Sequence, residues 1–134
     1  MKFERIARRL YAEPLMIEPG AFAAIDAAFQ RRVAGGVFEL GDMMPDEEDD
    51  YAVTPDGVAV LRIKGAISRD LSKMEKACGG VDLIDVQESL AEIAADPNAR
   101  ALVISADSPG GSVTGVEETA NMVRELRAKI PVIG

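Results

Sequence analysis

The sequence predicts an α/β protein whose strands run mainly parallel, and three observations predict it. Between Gly57 and Gly134, β-rich apolar runs alternate with stretches of helical periodicity, in the order strand, helix, strand, glycine-rich turn, helix, strand. The chain is 48% hydrophobic but only 4% aromatic, and it has no Trp. Its core must therefore come from Ala, Val, Ile and Leu, the composition of covered strands. Its 134 residues suffice for one domain with a core of its own.

The elements follow from local pattern. Phe3, Ile6, Ala7 and Leu10 share one helical face and Arg5, Arg8 and Arg9 lie largely elsewhere, which predicts a short amphipathic helix over 3–11. Such a helix serves either as an arm for a partner or neighbouring subunit, or as a helix packed on its own domain. Pro14 and Pro19-Gly20 are expected to break the chain. A second helix over about 21–34 places Phe22, Ile25, Phe29 and Val33 on one stripe and ends at Gly35-Gly36; Val37–Leu40 reads as a short strand. The stretch from Asp42 to Asp56 then holds seven acids and no base, five of them adjacent at 46–50. Adjacent like charges repel and resist packing, so a solvated loop is expected there in preference to a metal site. These features divide the chain into a helical arm (1–40), an acidic linker (41–56) and the first part of an α/β domain (57–134).

In that domain, Val58, Ala59, Val60, Leu61 and Ile63 predict a covered strand, with Gly65 permitting a bend before Ala66-Ile67. Residues 70–80 carry weak periodicity and read as a loop or a poorly formed helix. Asp82 or Asp85 caps a helix that runs to about Ala95, with Leu83, Val86, Leu90 and Ile93 as its apolar stripe and Asp96-Pro97-Asn98 as its stop. Ala101–Ser105 is a buried strand, and Val116, Ala120, Val123 and Leu126 face inward from a helix over 114–129. Pro131–Gly134 reads as the opening of a further strand, from which a domain truncated at its C-terminus is expected.

Charge and composition exclude several functions. A net charge of −8 disfavours a duplex nucleic-acid partner, which needs a basic face. The absence of His leaves Cys78, the single cysteine, without an activating base, so it reads as a free thiol. A lone cysteine also cannot staple the fold, which fits a reducing interior. Neither the apolar length of a membrane span nor the apolar run of a secretory signal is found, and a cytoplasmic protein is expected.

The segment Asp107-Ser108-Pro109-Gly110-Gly111-Ser112 lies between a buried strand and a helix. Helix starts leave backbone N–H groups unpaired and carry partial positive charge. Glycines let another group approach closely, so together these make an anion site. The Walker pattern fails for lack of a lysine, and the dinucleotide pattern fails because the glycines fall at Gly110, Gly111 and Gly115. An oxyanion site and a plain tight turn both remain.

Residues 101–134, ALVISADSPGGSVTGVEETANMVRELRAKIPVIG, resemble the S49 (signal-peptide-peptidase type) serine peptidases and, more distantly, the Clp protease subunits. GVAVLRIKGAIS resembles that family's opening strand, Asp85–Pro97 the following helix, and LYAEPLMIEP the lead-in of phage and prophage members that act in capsid assembly. The resemblance implies a Clp protease/crotonase-like fold: a mainly parallel sheet with flanking helices. It implies that the backbone amides of Gly110 and Gly111 hold the oxyanion, and that Ser112 and Val113 line a groove where substrate adds as an extended strand. The family's nucleophilic serine, in a Gly-x-x-Ala-Ser/Ala-Ala pattern, and its lysine base have no match in this chain and are expected beyond Gly134. An internal dyad of Lys64 with Ser105, Ser108 or Ser112 lacks a recognisable spacing. The chain alone is thus expected to be catalytically silent. The partners implied are a protein or peptide substrate, such as phage scaffold or portal protein, and further copies of the chain; no cofactor or metal is implied. Two other readings are a crotonase-like acyl-CoA enzyme, which uses a similar oxyanion hole, and a non-catalytic interaction module. The peptidase reading requires the amides after Pro109 to face an open cavity, unclaimed by neighbouring backbone.

Overall fold

The computed structural model describes residues 3–36 and 50–134. Along the chain come α1 (Glu4–Tyr11), β1 (Leu15–Ile17), α2 (Pro19–Val33), β2 (Tyr51–Val53), β3 (Val58–Lys64), β4 (Ile67–Ser68), α3 (Lys73–Ala77), β5 (Val81–Asp82), α4 (Leu83–Ala95), β6 (Ala101–Asp107), β7 (Gly110–Ser112), α5 (Val116–Arg127) and β8 (Val132–Ile133). The expected strand at 37–40 and nearly all of the acidic run lie outside the described residues.

The strands form two four-stranded sheets, β2-β3-β6-β8 and β1-β7-β4-β5. Within the first, β3 and β6 run parallel from Val58↔Ala101 to Lys64↔Asp107, and β6 runs parallel with β8. Within the second, β4 is parallel with both β5 and β7. The α/β class and the mainly parallel pairing match the expectation. Each sheet also carries one antiparallel edge strand, β2 on β3 and β1 on β7. Neither edge strand was expected. β2 lies in the stretch read as acidic linker, and β1 lies between the two prolines read as chain breaks.

Gly65 (φ 119°) bends the chain so that β3 and β4, one continuous run in sequence, enter different sheets. A Cβ there would sit 2.0 Å from the Gly79 carbonyl oxygen, so only glycine fits the bend.

The core of the first sheet is the cluster Ala59, Leu61, Val86, Leu90, Ile93, Ala99, Leu102 and Leu126. The stripe Leu83, Val86, Leu90 and Ile93 is wholly buried, as the 3.6-residue period requires. Each such Leu or Ile contributes about 1.5–3 kcal/mol of transfer free energy. Asp82 caps α4 by accepting from the Ile84 N–H at 3.0 Å.

Two helix expectations are corrected and a third, the loop or poorly formed helix over 70–80, is made definite. Pro19 and Gly20 begin α2 instead of breaking the chain: the fixed φ of proline suits the first helical position, and the Glu18 carboxylate caps the Gly20 and Ala21 amides at 2.8 and 2.7 Å. α5 starts at Val116, with left-handed Gly115 as its N-cap. Val116 is exposed and Thr119 is buried, because the Thr119 hydroxyl donates to the Gly115 carbonyl (2.8 Å) while accepting from the Gln87 amide on α4 (3.0 Å). Residues 73–77 form a true helical turn, held by a reciprocal capping box between Ser72 and Glu75.

α1 lies on its own chain. Phe3 and Tyr11 make edge-to-face contacts with Phe29 of α2 at 6.4 and 6.1 Å. The Arg9 guanidinium pairs with Glu75 and donates to the Arg69 and Asp70 carbonyls at 2.8 and 2.6 Å.

Candidate functional site

β6 delivers the chain into Ser108-Pro109, and β7 follows at once. The glycine pair is therefore a strand, and four residues lie between Gly111 and the helix start at Val116. This corrects the expectation that the pair sits at a helix N-terminus; the dipole of α5 acts beyond the next turn. The Ser112 side chain is buried and its Oγ accepts from the Thr114 N–H at 3.2 Å, which shapes the turn into Gly115.

The amides after Pro109 are claimed. The Gly110 N–H donates to the Ser108 Oγ at 3.1 Å. The Glu18 N–H donates to the Pro109 carbonyl (2.8 Å) and the Val113 N–H to the Pro14 carbonyl (3.4 Å), which bracket the β1–β7 ladder. Antiparallel alternation then makes Met16 and Gly111 the pair that exchanges both backbone bonds. The Ile67↔Gly111 pairing with β4 uses the alternate groups, the Gly110 carbonyl and the Ser112 N–H. The expected free donors at Gly110 and Gly111 are thus engaged by Ser108 and by β1. The groove position expected at Ser112 and Val113 is occupied by the same segment, Pro14–Glu18.

An open space lies beside the segment, but the bonded amides of Gly110 and Gly111 are not free to use it as expected. A cavity of about 730 Å³ lies between α1, α2 and the second sheet. Leu15 and Ile17 of β1 line it, together with Gly111, Ser112 and Pro109. Its walls are mainly apolar, and the Arg9–Glu75 ion pair, with both side chains nearly buried, is at its rim. Sequence reading missed this cavity because half of its wall comes from the segment taken as a separate arm.

The electrostatics around the cavity hold the second sheet together. Burial pushes the Glu75 carboxyl up, but bonds from the Ser72 hydroxyl and amide and the charge of Arg9 outweigh it and hold Glu75 below its ordinary value. Asp82 behaves likewise. Burial raises it, while the Ile84, Leu71 and Asp70 amides and Lys76 pull it down. Its carboxylate accepts from the Asp70 and Leu71 N–H groups at 2.9 and 2.8 Å, which ties β5 to the loop after β4. Lys76 is raised, chiefly by its bond to Asp85. The Cys78 thiol is pushed up by burial and by Glu75, the wrong direction for a nucleophile at neutral pH. Lys64 and Ser105 are exposed on β3 and β6, and neither hydrogen-bonds to Ser108 or Ser112.

Over an alignment of 140 positions, the chain is 25% identical to the head-tail preconnector protein GP5 of Enterobacteria phage P21. The alignment covers 91% of this chain and 28% of that protein, so the chain spans little more than a quarter of its relative's length. No family model matches, and no solved structure matches. Among the described residues, no helix is long and apolar enough to cross a membrane.

A carboxylate held below its ordinary value stabilises the fold above the unfolded-state pKa, and that share is lost as pH falls through the lower folded value. Asp82 and Glu75 should therefore destabilise the chain as pH drops below about 4. Asp82→Asn is expected to lose about 1–3 kcal/mol at pH 7 and to flatten the fall in stability toward pH 2. Urea midpoints at pH 7 and pH 3 measure both effects; equal midpoints for the variant and the parent at pH 7 would contradict the role assigned to Asp82.

Proposed function

We propose that this chain supplies the first part of an S49-type serine endopeptidase that acts in bacteriophage head assembly. The observation that carries this reading is the match along 91% of the chain to a phage head-tail preconnector protein. The finer step, peptidase chemistry, is supported by the resemblance of the Asp-Ser-Pro-Gly-Gly passage, which carries β6 into β7, to the S49 peptidases. In this reading a serine outside residues 1–134 attacks the substrate carbonyl while a lysine of depressed pKa takes its proton. Gly110 and Gly111 offer backbone donors to the negative charge that develops on the carbonyl oxygen. Ser112 and Val113 flank a substrate that lies extended beside β7. The substrate is a protein such as phage scaffold or portal protein, met in the prohead in the host cytoplasm. The protease is a homo-oligomer of the Clp protease/crotonase-like fold and needs no cofactor.

One observation favours a second reading, a non-catalytic assembly module: the Gly110–Val113 amides are already bonded within the chain. Under the peptidase reading, those bonds must exchange before an oxyanion can use them.

A fluorophosphonate probe and a peptidase assay separate the two. Residues 1–134 alone are expected to show neither labelling nor turnover. The natural gene product is expected to label at one serine and to cleave its head-assembly partner. Labelling of residues 1–134 that disappears on Ser108→Ala or Ser112→Ala would overturn the placement of the nucleophile. A natural product that binds its partner without cleaving it would leave the assembly module.

A further inference from the structure

The segment Pro14–Glu18 does to β7 what a bound peptide would do. It is extended, antiparallel and at the sheet edge, and its outer bonds run between Glu18 N–H and Pro109 O and between Val113 N–H and Pro14 O. Its side chains alternate as a strand requires: Leu15 and Ile17 line the 730 Å³ cavity, while Met16 is 76% exposed. Its hold is short, only three residues. Prolines flank it at 14 and 19, and neither has an N–H to donate to the ladder. The cavity remains open beside Leu15 and Ile17, so no tight packing locks them in place.

We propose that β1 is a tethered, exchangeable occupant of a peptide-binding edge, and that the ligand replacing it is an extended segment with aliphatic residues at two alternate positions. The ligand's backbone takes the Gly111 N–H and C=O bonds now made by Met16, and its two aliphatic side chains take the places of Leu15 and Ile17. Selectivity comes from the apolar wall, and affinity comes from the ladder. The glycines serve the same end. A Cβ on Gly110 would fall 2.0 Å from the Met16 carbonyl oxygen, so a strand can approach β7 this closely only because that residue has no side chain. The proposal rests on the reading of β7 as a substrate edge, and names the ligand and what guards the site.

The tethered strand competes at an effective concentration on the order of millimolar, so the unmodified chain should bind an added peptide weakly. Met16→Pro removes the N–H that bonds Gly111 and frees the edge while leaving β7 intact. The probe is a fluorescein-labelled peptide with the sequence of residues 12–20, followed by fluorescence anisotropy. It is expected to bind the Met16→Pro chain at least tenfold more tightly than the unmodified chain. The same peptide carrying Leu15→Asp and Ile17→Asp is expected to lose that binding, as is the Met16→Pro chain when Gly110→Ala is added. Absence of binding to a folded Met16→Pro chain, or equal binding of the Asp-bearing peptide, overturns the proposal. Should Met16→Pro fail to fold, hydrogen exchange on the unmodified chain decides. The Gly111 amide must then exchange at least a hundredfold faster than the β3 amides, and co-exchange with β3 overturns the proposal. None of these readouts needs catalysis. A natural gene product that cleaves its partner while the peptide fails to bind overturns this proposal and keeps the peptidase reading, whereas peptide binding without any cleavage removes the peptidase reading and keeps the edge.

Discussion

Gly111→Ala is expected to cost about 2–6 kcal/mol, combining a strained backbone of about 1–3 kcal/mol with a steric overlap of similar size. Gly111 has φ 154°, and a Cβ there would fall 1.9 Å from the Ile67 carbonyl oxygen and 2.8 Å from its nitrogen. Both atoms are backbone of β4, which is fixed on its other side by β5. The overlap cannot be relieved by a side-chain rotation, so β4 and β7 must separate. Gly110→Ala gives an informative contrast. Its Cβ would press on the Met16 carbonyl, 2.0 Å away, and β1 is an edge strand free to leave. Gly110→Ala should therefore detach β1 at lower cost, and Gly111→Ala should disrupt the sheet. Urea unfolding followed by circular dichroism measures the cost, and hydrogen exchange at Leu15–Ile17 and Ile67–Ser68 locates it. A Gly111→Ala midpoint equal to that of the parent would mean that β4 and β7 do not pair as described.

Leu90→Ala is expected to cost about 2–5 kcal/mol, the range for a buried leucine whose cavity refills only in part. Leu90 is 2% exposed on α4 and belongs to the cluster that joins this helix to β3, β6 and α5. Total stability for a chain of this size is about 5–15 kcal/mol, so the loss is a large share of the whole. Leu10→Ala on α1 is the control. Leu10 is half-buried beside the existing cavity, and its truncation should cost well under half as much. Thermal unfolding of the two variants checks the order. A Leu90→Ala loss no greater than that of Leu10→Ala would show that the stripe on α4 is not the centre of the core.

The same contrast shows what was legible in the sequence. α4 was readable to within a residue or two because its signals are local: an Asp cap, four apolar residues at helical spacing and a proline stop. β3 and β6 were readable because each is a long apolar run. β1, β2 and β7 were not. Each is three residues long, too short to show a period, and each owes its strand character to a partner. β1 pairs with residues at the far end of the chain, Leu15 with Ser112 and Ile17 with Gly110. Pro19 was misread because proline either breaks or begins a helix, and the Glu18 cap decides which.

For the candidate site, the residue types were legible and their environment was not. The glycine pair was identified as a place of close backbone approach, and the structure brings Met16 and Ile67 close to it. Which backbone approaches depends on how distant segments fold back, and no local spacing encodes that. By itself the sequence determined the α/β class, the buried helix stripe and the need for glycine at 110 and 111, because these follow from side-chain period and from the volume of a Cβ. Only the tertiary structure decided that the amides of those glycines are bonded, that an apolar cavity lies beside them, and that the chain's own Leu15–Ile17 holds the edge. Hydrogen-bond partners and cavities belong to pairs of segments brought together, and each segment alone carries only half of that information.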